Sequence, residues 1–128
     1  MINFKNASHI KLKPITSEQI HEFLPKMLLE DETVLASFQT VRDQLIFTTK
    51  RVVSINVQGL TGKKVDFTSI PYNRIQTFSV ETVGLIDTDS ELQICVATMG
   101  CIKFYFESGF DIISFNKTLS GLILNSSQ

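Results

Sequence analysis

This sequence predicts a mainly β domain, a barrel or sandwich of seven antiparallel strands closed by a C-terminal helix, and three observations carry that prediction. Apolar and polar residues alternate over residues 33–108, the period of a pleated strand with one buried face. Glycines and a proline break the alternation at short intervals, as turns do. Beyond residue 110 the period changes, and Ile112, Phe115, Leu119 and Leu122 form a helical stripe.

The chain has 128 residues, the size of one domain, and its reading is a single domain over residues 1–128. Hydrophobic residues make up 43% and include 10 Phe, a globular composition well away from that of disordered chains. Lys and Arg total 12 against 13 Asp and Glu, so the basic excess of a dedicated nucleic-acid binder is missing. The same balance argues against general attraction to anionic membranes, and membrane lipid is not an expected partner. No window approaches the ~20 apolar residues of a membrane span, and the polar first 14 residues lack the apolar core of a secretory signal. Two cysteines in such a chain predict free thiols in a reducing compartment, hence a cytoplasmic location.

In chain order, residues 1–15 show no period and read as a loose arm. A helix is expected over residues 16–29. Thr16 and Gln19 stand in capping-box positions, and Ile20, Phe23, Leu24, Met27 and Leu28 line one face. Pro25 falls inside this pattern, which predicts a kink. Strands follow over residues 34–40, 45–49, 52–57, 64–70 and 75–83. Their turns are Val41-Arg42-Asp43-Gln44, Lys50-Arg51 and the two-glycine stretch Gly59-Leu60-Thr61-Gly62, and Pro71 ends the fourth strand.

The last hairpin pairs residues 91–97 with 102–108. Leu92, Ile94 and Val96 share a side with Ile102, Phe104 and Phe106 when Val96 opposes Ile102, which predicts a Thr98-Met99-Gly100 loop. In that register Cys95 opposes Lys103 and is only a diagonal neighbour of Cys101, ~7–8 Å away and long for a disulfide, so a thiol pair used for redox or metal is the minor alternative. A closing helix over residues 110–124 is started by Ser108 with Asp111.

No catalytic or metal-binding constellation emerges, and no cofactor is implied. His9 lies in the arm and His21 on the polar side of the first helix, without partners at ligand spacing. Asp87, Asp89 and Glu91 make a carboxylate run before a strand, but the glycine and distal glutamate of a calcium loop are missing. Gly59 to Lys64 fails as a phosphate loop, because the glycines are too close and strands follow. Lys50, Arg51, Lys63 and Lys64 are the basic concentration of the domain. They are its candidate anion site if their turns lie at one end. Cys95, Ala97, Cys101 and Tyr105 share an outward, uncharged face, the candidate interface.

Several segments together resemble the bacterial pleckstrin-homology-like domain family. They are Val41-Arg42-Asp43 leading into Phe47-Thr48-Thr49-Lys50-Arg51, then Gln58-Gly59-Leu60-Thr61-Gly62-Lys63-Lys64, Ile70-Pro71-Tyr72 and Phe78-Ser79-Val80-Glu81-Thr82. The loop from Gly84 through Asp87, Asp89, Glu91 and Leu92 is similar as well, as are Asn6-Ala7-Ser8 and the first helix. The resemblance implies two near-orthogonal antiparallel sheets with a C-terminal capping helix, assembly into cyclic homo-oligomers, and no catalytic residues. The chain departs from the family at Val83, within Glu30-Asp31-Glu32, and at Cys95, where an aromatic is expected. The phosphoinositide habit of eukaryotic relatives does not transfer on fold alone, since Val41-Arg42-Asp43-Gln44 holds one basic residue beside an acid.

The expected function is therefore a non-enzymatic interaction module whose partner is itself, with a further protein partner left open. Anionic-ligand or membrane-surface binding through Lys50, Arg51, Lys63 and Lys64 is the alternative.

Overall fold

The computed structural model describes residues 11–82 and 89–126. Asn6, Ala7, Ser8, His9, Val83, Gly84 and Asp87 of the sequence reading lie outside them. Eight strands and two helices appear in chain order: β1 (Lys13–Pro14), α1 (Leu24–Met27), β2 (Val34–Gln39), β3 (Gln44–Thr48), β4 (Arg51–Gln58), β5 (Lys64–Pro71), β6 (Ile75–Thr82), β7 (Ser90–Val96), β8 (Gly100–Phe106) and α2 (Ile112–Leu124). The seven strands read from the alternation are β2 to β8, so the mainly β assignment holds. They form a five-stranded sheet in the order β1-β2-β3-β4-β5 and a three-stranded sheet in the order β6-β7-β8. Two compact units result: residues 13–70 with the larger sheet, and residues 11–12, 71–82 and 89–126 with the smaller sheet and α2.

In the first unit every chain-adjacent pair from β2 to β5 is also a sheet neighbour, so successive turns alternate between the two ends. The β2–β3 turn closes through Thr40, whose N–H donates to the Asp43 carbonyl at 2.9 Å and whose Oγ1 accepts from Asp43 N–H at 3.2 Å. Leu45, Ile46 and Phe47 of β3 and Val52, Val53 and Ile55 of β4 are all buried. Strand interiors buried on both faces lose the simple alternation of a half-exposed strand. Phe38 and Phe47 meet edge to face at 6.0 Å.

The segment over residues 16–29 is not one helix. Ser17–Gln19 is a single 3-10 turn, and the Thr16–Gln19 pairing forms, with Gln19 Oε1 accepting from Thr16 N–H at 2.9 Å. Ile20 is then extended, and one turn of helix, α1, restarts with Pro25 in its first turn. The Gln44 side chain explains the break. It accepts from His21 N–H at 2.9 Å and donates to the Gln19 carbonyl at 2.8 Å, satisfying backbone groups a helix would have paired internally. The apolar face survives in part: Ile20, Leu24 and Leu28 pack on Ile46, Val53 and Ile55, whereas Phe23 and Met27, expected on the same face, are exposed.

Residues 11–15 are not a loose arm. Lys13 and Pro14 pair with Gln39 and Phe38, and Ile15 N–H donates to the Ser37 carbonyl at 3.0 Å. Within the second unit, Leu12 is buried and bridges β8: its N–H donates to the Tyr105 carbonyl at 2.7 Å, and its carbonyl accepts from Glu107 N–H at 3.1 Å. Paired stretches this short produce no readable period.

The β7–β8 hairpin is shifted by two residues from expectation. Val96 opposes Gly100, Ile94 opposes Ile102 and Leu92 opposes Phe104, with Ala97-Thr98-Met99 as the loop. Met99 N–H donates to the Val96 carbonyl at 3.1 Å, and Gly100 follows with φ +84°, the left-handed residue that closes a three-residue hairpin. A shift of two keeps each side chain on its face, so Leu92, Ile94, Phe104 and Phe106 are buried as expected. Helix α2 begins one turn later than the Ser108 reading. Asp111 itself is the N-cap, its Oδ1 accepting from Ser114 N–H at 3.0 Å. Ile112, Leu119 and Ile123 bury its inner stripe, and Phe106, Phe110 and Phe115 cluster with centroids 4.9 to 6.4 Å apart.

Candidate functional site

The four basic residues of the candidate anion site are not brought together. Lys50 stands in the β3–β4 turn and Arg51 opens β4, whereas Lys63 and Lys64 follow the turn after Gln58. Eight residues of β4 separate the two turns, a strand length of ~26 Å. Arg51 is also committed internally. Its Nε donates to Glu32 Oε2 at 2.8 Å and its Nη2 to Glu32 Oε1 at 2.9 Å, a bidentate clamp. Its remaining donors reach Ser69 Oγ and the Met27 carbonyl, both at 3.1 Å.

Glu32 is the centre of this arrangement and was singled out by nothing in the sequence beyond its acidic neighbours. Its side chain is 0% exposed. Thr48 Oγ1 donates to it at 2.6 Å and Leu29 N–H at 3.0 Å. Burial pushes its pKa up, but hydrogen bonds from Arg51, Thr48 and Leu29, with the Arg51 charge, outweigh burial and hold it at about 2. Thr48 Oγ1 also accepts from Lys50 and Arg51 N–H, so one hydroxyl shapes the turn and ties it to Glu32. Lys50 pairs with Asp31 at 3.0 Å on the surface, and that contact lowers the Asp31 pKa. The cluster is a structural clamp.

At the other end of β4, Arg42 Nη2 donates to the Gly59 carbonyl at 2.7 Å and Asp43 Oδ1 accepts from Val57 N–H at 2.9 Å. These bonds tie the β2–β3 turn to the β4–β5 turn. Val41 at 90% and Leu60 at 107% exposure stand at the two tips, and Lys63 and Lys64 are exposed beside them.

The β6–β8 sheet displays its outer side in three rungs. Glu81, Glu91 and Tyr105 make one, Ser79, Gln93 and Lys103 the next, and Thr77, Cys95 and Cys101 the last. Cys95 and Cys101 are directly opposed, with Cα atoms 4.0 Å apart, and they form a disulfide. Both the diagonal placement and the free-thiol expectation are corrected, and for one reason: the two-residue shift moves Cys101 opposite Cys95. Cys101 is exposed and Cys95 half-buried, with Gln93 Nε2 donating to Cys95 Sγ at 3.6 Å. Ala97 is exposed in the loop, and Tyr105 lies at the far rung, half-buried. The face thus carries charge on two of its three rungs, Glu81 and Glu91 on one and Lys103 on the next, and is uncharged only at Thr77, Cys95 and Cys101. Glu91 shares a hydrogen bond with Glu81, which together with burial raises its pKa, while Lys103 at 3.9 Å opposes the shift.

His21 is half-buried, with Nδ1 accepting from Phe23 N–H at 3.1 Å and its ring edge-on to Phe67 at 5.3 Å. Asp89 pairs with Lys11, and Glu91 is a β7 residue. Among the described residues no three His, Cys, Asp or Glu side chains converge as metal ligands. No helix among them is long and apolar enough to cross a membrane.

Two antiparallel sheets followed by one C-terminal helix define a pleckstrin-homology-type domain. The chain belongs to the bacterial pleckstrin-homology domain family, whose sequence pattern matches residues 3–123. It is 40% identical over 112 residues to the uncharacterized protein YjqA of Bacillus subtilis (strain 168), covering 86% of this chain and 90% of that one. Among solved structures it is similar to a DUF1696 family protein with a pleckstrin-homology domain from Shewanella loihica PV-4. That likeness has a TM-score of 0.75 and 29% identity over 88% of this chain and 97% of the other. A pleckstrin-homology domain from Shewanella amazonensis SB2B superposes with TM-score 0.62 at 36% identity, covering 80% and 93% of the two chains.

Proposed function

We propose that this chain is a non-enzymatic interaction module that assembles with copies of itself, in a closed ring, through its three-stranded sheet. The unequal treatment of that sheet's two edges carries the reading. The β8 edge is capped by the chain itself through Leu12. Among the described residues β6 pairs on one side only, with β7. It runs eight residues without lysine or proline, and its one bulge lies near the start, between Ile75 and Thr77. Natural sheets guard exposed edges with such residues, and β6 carries a single charge, Glu81, near its end, so the middle of this edge is a place for another strand or surface to pair. Inequivalent edges favour a heterologous contact, the kind that closes into rings. The adjoining rung of Thr77, Cys95 and Cys101, with Ala97 beyond it, is uncharged.

Light scattering after size exclusion tests this. The native chain should elute as a multimer at micromolar concentration, and Thr77→Lys with Ser79→Lys should reduce it to a monomer with unchanged circular dichroism. A native chain that is monomeric throughout that range overturns the reading.

A second reading is favoured by the turn pair at the far end of β4. Two fully exposed aliphatic tips, Val41 and Leu60, flanked by Lys63 and Lys64, suit an anionic surface into which the tips insert. Co-sedimentation with anionic vesicles at low salt should be lost in Lys63→Ala with Lys64→Ala and weakened by Val41→Asp. No pelleting of the native chain removes this reading.

A further inference from the structure

We propose that Cys95 and Cys101 are a reversible dithiol–disulfide couple that exchanges with low-molecular-weight thiols, a property of the subunit that goes beyond self-assembly. The hairpin has no need of the bond. Six ladder pairs besides Cys95–Cys101 hold β7 to β8, and the disulfide closes a sequence separation of only 6. Short closed loops remove the least entropy from the unfolded chain, so this is the weakest position for a structural staple. The sulfurs lie on the outer side, across the sheet from the buried Leu92, Ile94 and Phe104, so reduction opens no cavity in the core.

The two sulfurs are also unequal, which gives the exchange a direction. Cys101 is exposed, whereas Cys95 is half-buried and receives the Gln93 amide N–H at 3.6 Å. An incoming thiolate reaches Cys101 Sγ and forms a new S–S bond there. The Cys95–Cys101 bond breaks, and its electron pair goes to Cys95 Sγ, where the Gln93 donor stabilises a thiolate. A second thiolate attacks the outer sulfur of the mixed disulfide, releasing the oxidised small-molecule disulfide and the Cys101 thiolate. Two electrons pass from two thiols to the pair, and the protein thiolates then take protons from water. Oxidised small-molecule disulfide reverses the sequence.

The test uses the full chain equilibrated in glutathione buffers of stepped composition, acid-quenched and read by intact mass, with circular dichroism as the fold readout. Reducing buffers should add two hydrogens, reversibly, with the β signal unchanged. Cys95→Ser should trap one glutathione on Cys101, and Cys101→Ser should react at Cys95 about tenfold more slowly. Reduction that requires denaturant, or that collapses the β signal, overturns the couple, as does a chain that stays reduced in the most oxidising buffer. Equal rates in the two single variants overturn the order of attack. Rates taken across dilution separate this from assembly. A rate that rises on dilution supports both, and one indifferent to dilution supports the couple while counting against this face as the subunit contact.

Discussion

Arg51 holds Glu32 through two near-parallel hydrogen bonds of 2.8 and 2.9 Å, with the carboxylate fully buried beneath the β3–β4 turn. Removing one partner of such a pair leaves a buried charge without compensation, at a cost of about 3–5 kcal/mol. Arg51→Met should therefore lower the urea unfolding free energy by that amount. Arg51→Met combined with Glu32→Gln should recover part of the loss, because no charge is then stranded. An additive double variant would show that the two residues act independently.

The same carboxylate sets an acid limit. Its pKa is about 2 folded and 4.5 in its ordinary state. The unfolded chain therefore binds the proton first, and the contribution is full above about pH 4.5 and lost as pH falls toward 2. A shift of this size corresponds to on the order of 3 kcal/mol. Unfolding free energies measured from pH 6 to pH 2 should show this loss, and Glu32→Gln should flatten that part of the curve.

Gly100 occupies φ +84° in the closing residue of the β7–β8 loop, and a Cβ there would meet nothing within 4 Å. Only backbone strain opposes a side chain, so Gly100→Ala should cost about 1–2 kcal/mol and Gly100→Asn less. Equal costs for the two variants in thermal unfolding would place the effect outside backbone conformation.

Leu24 is 1% exposed and packs with Ile46, Val53 and Ile55. Leu24→Ala should destabilise by about 2–5 kcal/mol. The neighbouring exposed Met27→Ala should change stability by less than about 0.5 kcal/mol. A small Leu24 effect would mean that residues 20–28 are not part of the core.

Much of the candidate site was legible in part only. The β7 and β8 faces followed from alternation, since a period of two assigns Leu92, Ile94 and Phe104 to the core in any even register. That Cys95 would meet Cys101 did not follow, because the hairpin register depends on where Gly100 takes its left-handed turn. Glu32 and Arg51 lie 19 residues apart, and no local pattern links a carboxylate to a guanidinium across a turn and a strand. The basic grouping failed for a topological reason: consecutive antiparallel turns alternate ends, so Lys50 and Lys63 are kept apart by β4.

What the sequence by itself determined was the set of strands β2 to β8, the inner stripe of α2, the packing of Ile20, Leu24 and Leu28 and the family likeness, all of which rest on local periodicity and turn chemistry. Tertiary structure alone decided four further things: the break in the first helix by Gln44, the docking of residues 11–15, the burial of the Glu32–Arg51 clamp and the joining of Cys95 to Cys101. Each is a long-range pairing of polar groups or thiols, whose energy depends on which partner the fold brings within hydrogen-bonding or bonding distance, and a period along the chain carries no record of that partner.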